Sequence, residues 1–399
     1  MTNFSKFMGK KYLKFFLLAL TVMIFFSFGA GQAVQAQERK SQYQSYLKLG
    51  IEKSFNMEFQ AGYSYLRKAV EMEPDNPTGY AYLAMIHLFD HEMSYDEKHR
   101  QNTQSAMLRY VEETLAKGEE KINKNENDSE AYLAMALAKV AKVNWAVKEK
   151  HYLSMLYEAI NVWDYLEKAR RGNPQNHDVS FLKGLFHYHI DHLAGLTRFL
   201  SSLIITHGDK QQGLQELQSA AQNGNLLKQL AQAELSSNYL NFEKQPARAL
   251  PIILELNDKF PNNYNLPFAL ANVLADLGKS EDAFHVAREI DKNIEAGLPP
   301  FVPQLRPRYH LLMGRIFFGQ GDYEKSAEHL QKVLKDTNLL NARVRAMALV
   351  RLGMIYDIRK EREKAEEHYS QSLKVKGGEG YAQIDAKKYL KTPYVQPKY

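Results

Sequence analysis

Cysteine is absent from all 399 residues. The chain therefore has no disulfides, no thiolate metal ligands and no N-terminal cysteine to carry a lipid, so its stability in any compartment must come from packing. Closely spaced turn signals and alternating β-branched runs are also lacking, which argues against a β-sandwich or barrel. No G-x-S-x-G elbow, phosphate-cradling glycine loop or H-E-x-x-H pair occurs. Paired acids such as Glu119-Glu120 and Glu366-Glu367 sit in charged stretches that read as solvated helix faces. What remains is 45% hydrophobic and 25% charged, a composition able to bury a substantial core, and rich in helix-forming residues. The expectation is an all-α protein that is not an enzyme and needs no cofactor or metal.

The N-terminus differs from the rest. Lys6, Lys10, Lys11 and Lys14 precede an apolar stretch from Phe15 to Phe28, and small residues follow up to Val34-Gln35-Ala36. Basic, apolar and small segments in that order predict a secretory signal peptide over 1–36, cleaved after Ala36, and hence a periplasmic or secreted protein. The competing reading is an uncleaved anchor, but the apolar stretch is shorter than the ~20 residues that cross a bilayer as a helix. Formal net charge is +6, yet residues 1–36 carry four lysines and no acids, leaving 48 basic against 46 acidic side chains. A surface so balanced gives no support for nucleic-acid binding.

Downstream of the leader a pattern recurs. Tyr46, Leu49, Gly50, Gly62, Leu66, Ala69 and Pro74 stand at offsets that suit two antiparallel helices in a unit of about 34 residues, with the small residues allowing close approach and Pro74 ending the second helix. Tyr80-Ala81-Tyr82-Leu83-Ala84-Met85 restarts the first helix, and Ala131-Tyr132-Leu133-Ala134-Met135 restarts it again after a longer helix near Glu97 to Asn123. Later units show Ala249 and Pro261; Leu270, Ala271, Gly278 and Ala283; Gly314, Gly321 and Tyr323; and Leu352, Gly353, Tyr356, Ala365 and Tyr369. With these offsets the chain resembles the tetratricopeptide-repeat family over nearly all of its mature length, although Leu196 to Asn225 and Asn257 to Phe260 fit poorly and Ser326 replaces the usual alanine. The resemblance implies a right-handed superhelical solenoid of antiparallel helix pairs, with hairpins over 37–200 and 201–376 and a helix and tail over 377–399. Four prolines between Leu298 and Pro307 predict an extended bridge there. A short helix over Ile384 to Leu390 is expected to fray past Pro393.

Stacked hairpins build a long concave face, which makes a protein or peptide partner the expected ligand. In the family the first helix of each unit lines that face, and aligning the units places Asn238, Asn272 and Arg315 at one inward offset, with Glu234 and Arg308 inward on the same helices. An asparagine amide matches a peptide group as both donor and acceptor, and an arginine can take a carboxylate with two parallel bonds. The equivalent N-terminal positions, Leu47, Ile51, Phe55, Met85, Leu88 and Phe89, are apolar, as suits either packing against the neighbouring unit or a groove for a partner helix. A small-molecule or glycan receptor is the alternative, since 24 tyrosines and 20 phenylalanines offer stacking surface, but most of them stand at seam offsets.

One string points elsewhere. His187-Tyr188-His189-Ile190-Asp191-His192 spells H-x-H-x-D-H and resembles the zinc motif of the metallo-β-lactamase superfamily, which would imply a zinc-dependent hydrolase. Its flanks read as one helix. At ~100° per residue His187 and Asp191 would lie about 40° apart on one face, and His189 and His192 about 60° apart on another, so one helix cannot aim all four at one site. A mononuclear site using His189 and His192 lacks an evident third ligand. The expectation is half-buried helical histidines, with His189 reaching the concave face.

Overall fold

The computed structural model describes residues 35–148, 151–190, 209–297 and 299–396. They form 17 helices in adjacent antiparallel pairs: α1 (35–55) with α2 (Phe59–Met72), α3 (Pro77–Met93) with α4 (Glu97–Lys124), α5 (Ser129–Lys148) with α6 (Tyr152–Gly172), and α7 (His177–Ile190) with α8 (Lys210–Asn223). The series continues with α9 (Lys228–Asn241) and α10 (Pro246–Lys259), α11 (Asn265–Asp276) and α12 (Ser280–Ala296), α13 (Arg306–Gly319) and α14 (Tyr323–Leu334), then α15 (Ala342–Ile358) and α16 (Arg362–Lys374). A last helix, α17 (Tyr381–Lys391), covers the end. The predicted leader over 1–34 and the residues 191–208 lie outside the described residues.

Local chemistry sets these boundaries. Asn76 caps α3 by accepting from the Thr78 amide while Pro77 takes the first helical position, where a missing N–H costs nothing. Asp96, Asp209 and Asp322 cap α4, α8 and α14 in the same manner. Gly321, with φ of +79°, makes the left-handed turn that lets Asp322 reach its capping position. In α2 the buried residues Gly62, Leu66 and Ala69 recur at a spacing of three or four, giving one apolar stripe. Burying Leu66 completely is worth ~2 kcal/mol. Tyr43 and Leu47 take the deepest places on α1, whereas Tyr46 and Leu49, expected to fill the seam, are only partly buried.

Helices within a pair approach until backbone meets side chain. A methyl group on Gly213 would lie 2.6 Å from the Tyr188 amide nitrogen, so α8 crosses α7 at a distance only glycine allows. Ser326, where the repeat pattern calls for alanine, is fully buried and donates its hydroxyl to the Gly314 carbonyl at 2.7 Å, which satisfies the extra polar group across the α13–α14 seam.

First helices of neighbouring pairs pack on one another in two stretches, α3 on α5 and then α11 on α13, α13 on α15 and α15 on α17, so α11, α13, α15 and α17 form one inner layer. A continuous apolar core runs from Tyr43 to Ile316, and smaller clusters continue it to Ala386. The chain also curls back on itself. Phe55 meets Phe260 edge-on at 4.7 Å, Asn263 donates to the Phe55 carbonyl at 2.7 Å, and Lys259 pairs with Glu52 at 2.8 Å. Near the other end, Phe242 meets Tyr381 at 6.0 Å and Lys244 reaches Asp385 at 3.5 Å.

Two expectations need correction. The proline bridge is shorter than anticipated: a 3₁₀ turn covers Pro303–Leu305, and Pro307 already belongs to the first turn of α13, where proline is tolerated. Nor does the described part of the tail fray after Pro393. The final helix spans Tyr381–Lys391, and beyond it the Tyr394 amide donates to Asp357 at 2.8 Å while the Tyr394 ring packs on Tyr389 and Phe318. Asp357, with its carboxylate 1% exposed, also accepts from Arg362 at 3.0 Å and from the Tyr369 hydroxyl at 2.8 Å. Asp357→Ala is expected to release the tail and raise tryptic cleavage after Lys391 roughly tenfold, equivalent to ~1.4 kcal/mol of local opening. An unchanged cleavage rate would show that the aromatic contacts alone hold it.

Candidate partner-binding face

On α11, residues 265, 272 and 276 recur at 7 and 4 positions and so share one face; on α13, residues 308 and 315 do the same. Packing α13 beside α11 turns these two faces into a ladder. Arg308 donates to the Asn265 amide oxygen at 2.5 Å and lies 4.5 Å from the Phe268 ring centre, a cation–π contact. One helical repeat further on, Arg315 reaches Asn272 at 3.4 Å and grips Asp276 through Nε at 2.8 Å and through Nη2. Two of the three residues matched by repeat offset, Asn272 and Arg315, are therefore brought together.

Their roles differ from the expectation. Arg315 already holds a carboxylate with two parallel bonds, and that carboxylate is Asp276 of its own chain. Burial weakens the Arg315 charge, but Asp276 outweighs it and holds the guanidinium pKa above its usual value. For Arg308 burial prevails and the pKa falls. Asn238, at the matching offset on α9, is not on an open face at all. It is 1% exposed, and its amide nitrogen and oxygen have no hydrogen-bond partner among the described residues. Glu234 and His189 pair with each other at 2.7 Å, both partly exposed, near the ring of Phe242.

Arg351 on α15 completes the row, and the repeat offset did not find it. Equating Gly353 with Gly314, each of which meets a side chain 16 positions further on, sets Met354 opposite Arg315. Arg351 stands three residues before Met354, on the same helical face one turn away. That spacing was the available signal. Arg351 is half-buried, sits 5.3 Å from the Phe318 ring centre, and its Nε has no hydrogen-bond partner. Burial pulls its pKa down, with Arg315 nearby adding repulsion, to about 10, so it remains a cation at neutral pH. Tyr381 of α17 lies in the field of Arg308, Arg315 and Arg351, has Lys244 5.8 Å from its ring centre, and donates its hydroxyl to the Met347 sulfur at 2.9 Å. Lys244 pairs with Asp385 and Arg315 with Asp276, and Arg308 and Arg351 add two further guanidiniums, a local excess of positive charge that the whole-chain balance conceals.

The apolar residues of the N-terminal half do not form a free groove. Leu47, Ile51, Met85 and Leu88 are buried, and Phe55 and Phe89 border a small apolar cavity that Leu227 and Leu230 close from α9. The histidine string is likewise divided. His187, 4% exposed, bonds Glu216 at 2.6 Å beside Trp163, whereas His189 bonds Glu234, so the two rings address different carboxylates. Asp191 and His192 lie outside the described residues. No group of three potential ligands that could hold a metal occurs among the described residues, and no helix among them is long and apolar enough to cross a membrane.

Comparison with known proteins agrees with the repeat pattern in part of the chain. A family model described as tetratricopeptide repeat matches residues 311–380. No curated protein matches the chain. Among solved structures, the human IFIT1 dimer with m7Gppp-AAAA is similar at 12% identity over 89% of this chain and 85% of that one, with a TM-score of 0.43. A P58(IPK) TPR domain is similar at 12% identity over 88% and 97%, with a TM-score of 0.23. The matched stretch 311–380 begins within α13 and ends just before α17, so Arg315 and Arg351 both lie within it.

Proposed function

We propose that the chain is a non-catalytic scaffold that holds a protein or peptide partner along the inner face of α11, α13 and α15. Tetratricopeptide repeats are in general protein-interaction modules, and the segment that matches them bears two of the cations of that face, Arg315 and Arg351. The observation that carries the reading is Arg351. Unlike Arg308 and Arg315, its guanidinium makes neither a hydrogen bond nor an ion pair with any described residue. Its Nε–H is closed to solvent without an acceptor, which is unfavourable in the free protein and is relieved by an anionic group from a partner. The partner segment that fits is acidic. The basic, apolar and small segments of 1–36 support export, so the partner is sought in the cell envelope or outside the cell.

Arg351→Glu tests the assignment better than a change at Arg315, whose loss would strand Asp276. The charge reversal is expected to weaken the partner at least tenfold, about 1.4 kcal/mol, with helicity unchanged by circular dichroism. Equal binding by the variant would remove the inner face from the account while leaving the fold untouched.

A further inference from the structure

A second cationic site lies outside the inner face. Between the end of α14, the middle of α15 and the end of α16 the surface opens into a cleft of about 470 Å³. Leu334, Leu349 and Val375 give it an apolar wall. Arg345, Lys374 and Lys376 supply three cations, Gln371 adds an amide, and no carboxylate lines it. Leu349 is buried, so the wall is part of the packed hairpin, whereas Lys374 and Lys376 are exposed at the mouth.

Arg345 gives the cleft its direction. It is partly buried on α15, its Nε is closed to solvent, and no hydrogen bond or ion pair with a described residue satisfies the guanidinium. A guanidinium N–H closed to solvent is costly to leave without an acceptor, and an anion in the cleft would supply one. The nearby acid Glu367 is engaged by Gln371 at 3.0 Å and stays on the outer face of α16. Pockets of 300 to 1,000 Å³ with apolar walls and a few convergent polar groups are the usual size and character of small-ligand sites.

We propose that this cleft binds a small amphiphilic anion, a carboxylate or phosphate head on a short aliphatic body. The head group pairs with Arg345 by two parallel bonds, Lys374 and Lys376 draw it in from the mouth, and the aliphatic body lies on Leu334, Leu349 and Val375. A divalent cation is excluded by three like charges. A bare inorganic anion would leave the apolar wall wet, and an uncharged lipid would leave Arg345 unmatched. The site is about one helical turn from Leu349 to Arg345 on the side of α15 that contacts α14 and α16, and it does not depend on the partner proposed above.

The probes are octyl phosphate, decanoate, inorganic phosphate and octanol, titrated calorimetrically into the full chain. Octyl phosphate or decanoate is expected to bind at least tenfold more tightly than either phosphate or octanol, and added salt is expected to weaken that binding. Arg345→Met, which keeps the aliphatic stem, is expected to reduce affinity at least tenfold. Should that variant fail to fold, Lys374→Glu with Lys376→Glu, both at exposed positions, is expected to do the same by reversing the field at the mouth. The proposal is overturned if neither amphiphile binds at millimolar concentration, if octanol binds as well as octyl phosphate, or if the folded variants bind like the native chain.

Discussion

Asp178→Ala is expected to destabilise the chain by ~3–5 kcal/mol, the cost of stranding buried donors of a charge-assisted network. Asp178 begins α7 but serves another hairpin. Its carboxylate, in a residue 4% exposed, accepts from the backbone amides of Asn225 at 2.9 Å, Leu226 at 3.0 Å and Leu227 at 3.2 Å. These amides open α9, whose cap residue Leu227 has no side chain able to receive them. A carboxylate placed there both satisfies the orphan donors and matches the positive end of the helix. Alanine would leave three donors without a protein acceptor, two of them, on Leu226 and Leu227, buried away from water. Asp178→Asn is expected to recover part of the loss, since one oxygen still accepts while the new amide donor faces amides. Denaturant unfolding followed by hydrogen exchange at Leu226 and Leu227 checks this. Wild-type protection in the alanine variant would mean that packing, not Asp178, holds the junction of the fourth and fifth hairpins.

The second large effect is on acid stability. His87 lies between the rings of Tyr63 and Tyr110, with centres 4.2 and 5.5 Å away, and its Nδ1 is buried without a partner. Burial, followed by the nearby Arg67, Arg109 and His99, lowers its pKa from 6.5 to about 4. Between those values the unfolded chain binds a proton that the folded chain does not. Stability contributed by the neutral ring is therefore fully present above pH 6.5 and is lost as pH falls toward 4. The drop for this one residue is ~3 kcal/mol by linkage. His310, set 3.2 Å from His329 through their Nδ1 atoms, has a pKa lowered to about 4 as well, by burial and then by that neighbour, and adds to the same window. His87→Phe preserves a stacked ring and removes the titration. Unfolding midpoints measured across that window are expected to fall more shallowly in the variant than in the native chain. Parallel curves would place the acid sensitivity elsewhere.

Much of the fold could be read from spacing alone, because each hairpin is a local object. Gly50 with Gly62, Asn76 with Pro77, and Gly321 with Asp322 are signals whose physics is complete within a few residues. The same holds for the meeting of Asn272 with Arg315, which needs only two helical periods and the adjacency of successive units. Asp276 was legible by the same rule, one turn beyond Asn272, and its presence changes the role of Arg315 from a free clamp to an internal pair. What spacing does not carry is the return of the chain on itself. Phe55 finds Phe260 across more than two hundred residues of sequence, and no periodicity within a unit encodes that contact. Asn238 shows the same limit, since an offset counts positions along a helix whereas burial depends on what packs across it. Arg351 escaped because the repeat alignment tracks one position per unit, and the face is wider than one position.

The central claim is that the inner face of α11, α13 and α15 holds an acidic partner through Arg351. It is tested most directly by isolating the native chain and its Arg351→Glu variant from the source cell and comparing what co-purifies. The account predicts one stoichiometric protein with the native chain that is lost with the variant and regained at low affinity when its own acidic segment is made basic. The same protein retained in equal amount by both chains would contradict it.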